Sequence, residues 1–181
     1  MTFHRRAAPR RVTLFPFERA RTSAQAPSMS FRIRHIFISP GHNFVGHHGK
    51  TPGEHPSLDV REVRCVAGSG IEGDRYFDFK DDYKGQVTFF AWETYERICA
   101  QFGIHDKSPA IFRRNIITEG VDLNALIGTE FEIQGVHFLG TQESAPCNWM
   151  NTAFADGAED ALKGHGGLRA KILCDGVLRV M

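Results

Sequence analysis

Cys147 follows a proline in Ser144-Ala145-Pro146-Cys147-Asn148-Trp149. The proline ring fixes its own φ and biases Ala145 towards extended backbone, so the thiol sits at a turn among polar residues. A free thiol ionises near about pH 8.5, and neighbouring cations lower that value. The product is a nucleophile or a soft metal ligand. Burial as an inert structural cysteine is the other reading of any free thiol. It fits Cys65, Cys99 and Cys174, which lie within apolar periodic segments.

Cations that could serve such a thiol come from three places. Gly68-Ser69-Gly70-Ile71-Glu72-Gly73-Asp74-Arg75 is glycine-rich. Its backbone could turn tightly and offer successive N–H groups to an anion, with Asp74 and Arg75 at its end. The pattern matches neither a P-loop nor a dinucleotide fingerprint, and a plain β-turn would also explain it. Arg113-Arg114-Asn115 reads as strand. One arginine would then face a pocket and the other solvent, with Asn115 on the face of Arg113; a solvated charged edge is the alternative. Arg169 follows Gly164-His165-Gly166-Gly167-Leu168 at a strand start and could add a further cation. His42, His47, His48 and His55 share one loop, but their spacing matches no common zinc pattern. His47 and His48 are the candidates to face a substrate.

Elements must hold these residues in place. Residues 31–38 alternate apolar and polar like a strand with one buried face. A long loop follows over 39–58, then strand character over 60–67 and 86–91. Trp92, Tyr95, Ile98 and Cys99 fall on one face of a helix over 92–102, which Gly103 stops. Residues 111–118 read as strand and 123–127 as one helical turn. Short strands at 131–133 and 136–141 flank Gln134-Gly135. Residues 151–163 look helical, with Phe154, Ala158, Ala161 and Leu162 on one side. Residues 168–174 and 177–180 read as a hairpin across Asp175-Gly176. Many short strands with scattered helices point to a mainly β fold, a barrel with helical insertions.

Six of the 22 basic residues and one of the 21 acids lie in 1–28, which leaves the remainder acidic by four charges. That balance argues against nucleic-acid binding, which usually needs a basic domain. Residues 1–28 read as a disordered extension, an upstream start ahead of Met29, or an organelle transit peptide. Residues 29–181 read as one domain. No apolar run is long enough to span a bilayer. Four cysteines without a CxxC pair or a secretory segment suggest reduced thiols and a cytoplasmic protein.

Taken in order, several of these motifs resemble the MOSC family, named after the C-terminal part of molybdenum cofactor sulfurases. The resembling stretches are 70–75, Arg114-Asn115-Ile116-Ile117-Thr118, 120–128, Pro146-Cys147 and 166–173. The resemblance covers about residues 30–181. It implies a MOSC-type β-barrel that binds molybdenum cofactor, a pterin carrying a dithiolene and a phosphate. Cys147 would be the catalytic residue, ligating molybdenum or carrying sulfur. Gly70, Gly73, Asp74, Arg75, Arg113, Arg114, Asn115 and Arg169 would bind the cofactor. An association with pyridoxal phosphate attaches to the resemblance at family level only.

Three functions follow from the resemblance. The first is reduction of small N-hydroxylated compounds, fed by an external electron donor because no flavin, haem or iron–sulfur motif is visible. The second is sulfur carriage on a Cys147 persulfide, loaded by a sulfur-donor protein. The third is a non-catalytic cofactor-binding module. Two departures qualify it. Tyr76 stands where many members have His, so a role resting on that histidine does not transfer. The Gly-Asp pair that commonly follows the last strand is missing after Val180-Met181.

Overall fold

The computed structural model describes residues 31–43 and 53–181. The expected extension 1–28 lies outside the described residues, and so do His47 and His48.

Ten strands, three short α-helices and two 3-10 turns make up the described chain. The strands are β1 (Arg32–Ile38), β2 (Leu58–Val60), β3 (Glu62–Val66), β4 (Gly70–Ile71), β5 (Val87–Ala91), β6 (Ile116–Glu119), β7 (Glu130–Ile133), β8 (Val136–Glu143), β9 (Leu168–Ile172) and β10 (Gly176–Arg179). The helices are α1 (Trp92–Phe102), α2 (Trp149–Ala153) and α3 (Ala158–Ala161). The fold is therefore mainly β, as expected. The expected barrel takes the form of two open sheets, whose hydrogen-bonded ladders do not close among the described residues. One sheet has seven strands in the order β2-β1-β6-β5-β9-β8-β7, and the other has three, β10-β3-β4. Among the described strands, β5 and β6 are the one pair that runs parallel.

The period of two along a strand explains the layering. Ile36, Phe89 and Ile116 join Cys65, Ile71 and Leu178 of the small sheet in one core. Their chain neighbours Phe37, Phe90 and Ile117 point the other way, into a second core with Ile98, Met150, Phe154 and Leu162 of the helical layer. The large sheet is thus covered on both faces. Phe89, Phe131 and Phe138 pack with ring centroids 5.4–5.7 Å apart in the first core. Phe90 stacks on Phe112 at 4.5 Å in the second.

Four expectations about elements change. The strand expected over 111–118 begins only at Ile116. Ahead of it, Pro109–Phe112 forms a 3-10 turn capped by the Ser108 side chain, and Arg113 is left-handed with φ 59°. Arg113 and Arg114 therefore do not alternate across a strand. The run 60–67 breaks between β2 and β3, which join different sheets. The helix expected over 151–163 breaks into α2 and α3, because Gly157 adopts φ 81°. The expected hairpin across Asp175-Gly176 does not form: β9 pairs with β5 and β8, while β10 pairs with β3. The Asp175 carboxylate instead accepts from the Ala67 N–H, which ties the link to the small sheet.

Candidate functional site

The segments that converge on one end of β5 and β9 enclose a cavity of about 250 Å³. Five residues singled out from the sequence line it: Arg75, Arg113, Arg114, Cys147 and Arg169. Thr88 and Arg169, opposite each other in the β5–β9 register, form the floor. Tyr76, Tyr83, Phe112 and Trp149 supply aromatic walls. Among the described residues, no aspartate, glutamate or histidine lines the cavity.

The four arginines are held differently. Arg114 is fixed by backbone oxygens alone. Its Nε donates to Gly166 O at 2.9 Å, Nη1 to Phe112 O at 2.9 Å, and Nη2 to the carbonyls of Ser144 and Ala145. Burial, then the neighbouring Arg169, pushes its guanidinium down to about 10. Arg113 lies with its guanidinium carbon 5.8 Å from the Trp149 ring centroid. Burial and Arg75 lower its pKa, while Tyr76 and Cys147 raise it. Arg75 is nine-tenths buried, with Nη1 3.5 Å from Asp74 and its guanidinium 5.0 Å from the Tyr76 ring centroid. Arg75 Nε and Arg169 Nε are buried without a hydrogen-bond partner among the described residues. An unmet buried N–H costs about 1–3 kcal/mol, more when it belongs to a charged group. An anion between these two guanidiniums would remove that cost.

Cys147 is the exposed member of the four cysteines, all of them free. The carbonyls of Ser144 and Ala145 just before it accept from Arg114, and its own carbonyl accepts from Met150 N–H at the start of α2. Gly166 lies directly beneath. A Cβ there would come within 2.4 Å of Ser144 O and 2.9 Å of Pro146 N, so only glycine lets the Cys147 segment sit this close. Cys65 is fully buried, and burial pushes its thiol up to about 12. Cys174 Sγ accepts from the His137 N–H.

Four other candidates lie outside the cavity. Gly70 and Gly73 have φ 128° and 82° and shape the turns after β3 and β4. The N–H groups of Gly68, Ser69, Glu72 and Asp74 all bond carbonyls of the chain, so these amides form no anion nest. Asp74 is buried and accepts from Ser39 N, Tyr76 N and Asn115 Nδ2, each at 3.1 Å. Asn115 also bonds Phe37 O and the Thr88 backbone and hydroxyl. Asp74 and Asn115 therefore brace the floor and orient Arg75 from behind.

Sequence reasoning passed over Tyr83, Thr88 and Trp149 as site residues. The signal was there in the aromatic run Tyr76, Phe77, Phe79 and Tyr83. Tyr76 and Tyr83 stack at 5.4 Å, and Phe79 and His42 meet Tyr76 edge-on. Burial, then Tyr76, pushes the Tyr83 phenol up. Burial, then Arg75 and Arg113, holds His42 below the usual histidine value. The histidine-rich loop thus starts at the cavity mouth.

A larger groove of about 360 Å³ lies beside α1. Its charged side chains are Glu93 and Asp122, and it holds neither cysteine nor arginine. The cysteine and the four arginines are all in the smaller cavity. Among the described residues no cluster of three His, Cys, Asp or Glu is arranged to hold a metal, and no helix is long and apolar enough to cross a membrane.

The described part of this mainly β protein thus places an exposed thiol and four arginines on one cavity. Residues 48–180 match the family model of the MOSC domain, and the chain belongs to that family, which is associated with molybdenum cofactor binding. The fold is similar to that of the YuaD protein from Bacillus subtilis, with TM-score 0.66 and 17% identity over 84% of this chain and 92% of that one. YiiM from Geobacillus stearothermophilus gives TM-score 0.59 and 14% identity over 83% of this chain and 71% of that one. YiiM from Escherichia coli gives 0.56 and 18%, over 82% and 65%. Identities this low speak for the fold alone. No curated protein matches the sequence.

Proposed function

We propose that the protein holds molybdenum cofactor in the Cys147 cavity and uses it to reduce small N-hydroxylated compounds. The observation that carries this reading is the convergence of four arginines and one exposed cysteine on a single cavity without carboxylates.

The residues present fit the group. Its phosphate and pterin oxygens need donors, and the buried Arg75 Nε and Arg169 Nε lack partners among the described residues. Its dithiolene-bound molybdenum favours a soft ligand, and Cys147 is the one sulfur that is both in the cavity and exposed. When bound, the group supplies the two-electron redox chemistry. Arg75, Arg169 and Arg113 bind and orient it. Arg114 holds the Cys147 segment in place. Tyr76, Tyr83, Phe112 and Trp149 exclude water from the walls. The Tyr83 hydroxyl keeps its proton at neutral pH and remains a donor at the substrate side. Electrons come from an external donor protein.

The test is the metal content of full-length protein made in a host that synthesises the cofactor. Near-stoichiometric molybdenum, lost in Cys147→Ser, is the expected result. Wild-type protein free of molybdenum under those conditions would overturn the reading.

A second reading has its own support. Cys147 is exposed, whereas Cys65 and Cys99 are buried and Cys174 is held by backbone groups. The same thiol is therefore suited to carry sulfur as a persulfide.

A further inference from the structure

We propose that Cys147 is loaded with sulfur by a small inorganic dianion, thiosulfate, seated by Arg75 and Arg169. The proposal rests on the sulfur-carrier reading of Cys147 and needs no molybdenum.

Three observations carry it. First, of the three buried side-chain N–H groups without partners among the described residues, the two on arginines, Arg75 Nε and Arg169 Nε, belong to this cavity, and the Arg75 side chain is only 10% exposed. They call for a compact acceptor with several oxygens, which a tetrahedral sulfur oxyanion provides. Second, the donors of Arg114 are engaged by four carbonyl oxygens. It adds fixed positive charge beside Cys147 without competing for the ligand. Third, the lining has no carboxylate or imidazole among the described residues. Thiosulfate suits such a lining, because its leaving group departs as a stable anion without a proton. An alkoxide expelled from a phosphate ester needs a general acid. Sulfite does not.

The step balances without an added oxidant or reductant. The Cys147 thiol loses its proton to solvent. Its thiolate attacks the outer sulfur of thiosulfate and forms a sulfur–sulfur bond. The sulfur–sulfur bond of thiosulfate breaks, and its electron pair leaves with sulfite. The arginines bind the dianion on entry and the sulfite dianion on exit, so they stabilise the charge throughout the displacement.

The experiment incubates the full-length protein with thiosulfate or with uncharged colloidal sulfur. Cyanide then releases the carried sulfur as thiocyanate, and the intact mass reports the added sulfur. Thiosulfate should load wild type and not Cys147→Ser. In Arg169→Gln the loading rate should fall about tenfold or more, relative to alkylation by uncharged iodoacetamide. Sulfate at constant ionic strength should slow loading of wild type by thiosulfate but not by colloidal sulfur, a check that needs no variant. Loading by colloidal sulfur alone would overturn thiosulfate as donor and leave the carrier reading standing. Loading by neither would overturn both. Equal loading of wild type and Arg169→Gln, with no effect of sulfate, would overturn the arginine seat.

Discussion

Residues of one type serve different ends here because their surroundings differ. Arg75 and Arg169 each keep a buried Nε–H without a partner among the described residues, whereas the donors of Arg114 are bound to carbonyls. Spacing in the sequence cannot separate these roles, since Arg113-Arg114 looks the same whichever way each side chain turns. What the sequence does carry is the set: Arg75, Arg113, Arg114, Arg169 and Cys147 all line one cavity. Gly70, Gly73, Asp74 and Asn115 share the same motifs but support it from outside. The cysteines divide in the same way, and Cys65 gives a pH prediction. Burial raises its folded pKa to about 12 from an ordinary 9.0, so folding favours the protonated thiol. That contribution is complete below the unfolded value and is lost as pH rises from there towards about 12. The slope is up to about 1.4 kcal/mol per pH unit. Between about pH 8 and pH 10, urea unfolding should show wild type losing roughly 1.4 kcal/mol more than Cys65→Ala. Parallel losses in the two proteins would remove Cys65 as the cause.

At the scale of elements, the segment between α3 and β9 is the support of the reactive loop. Its Gly166 O accepts from Arg114, its Gly166 N–H donates to Glu143, and its Gly167 O accepts from Ser144 N. Gly166→Ala should push the Cys147 segment away and destabilise the fold by about 1–3 kcal/mol. Molybdenum content should fall with it. Unchanged stability and metal content would mean that the loop gives way at no cost. Local patterns predict local elements well here. The helix α1 follows from its apolar face and Gly103, which caps it at φ 64°. The β7–β8 hairpin follows from Gln134-Gly135, both with positive φ. The Asp-Gly signal before β10 fails because a turn residue marks a change of direction, not the partner of the next strand. The strand reading of 111–115 fails because Ser108-Pro109 starts a capped turn that apolar spacing does not register.

At the scale of the molecule, backbone bonds join the two sheets, which should open as one body. The link between β9 and β10 is short, and backbone bonds cross beside it. Gly68 N–H donates to Ile172 O, and Met181 N–H donates to Ile33 O. Sub-global opening follows contiguous cooperative units. Amide exchange at Ala170 in β9 and Leu178 in β10 should therefore report one opening free energy. A much faster Leu178 would show the three-stranded sheet opening by itself.

The lining of the cavity also has a consequence at a distance. Outside residues 1–28 the chain carries four more acids than bases, yet its cavity gathers four guanidiniums. From residues 29–181 alone, an approaching anion should meet weak repulsion at a distance and attraction near the mouth. Dissolved salt screens exposed charges over about 8–10 Å and affects buried ones much less. Moderate ionic strength therefore quiets the outer repulsion before it weakens the inner grip. Capture of the anion proposed above should therefore be a short-range event that tolerates salt, unlike the long-range steering of a uniformly basic surface.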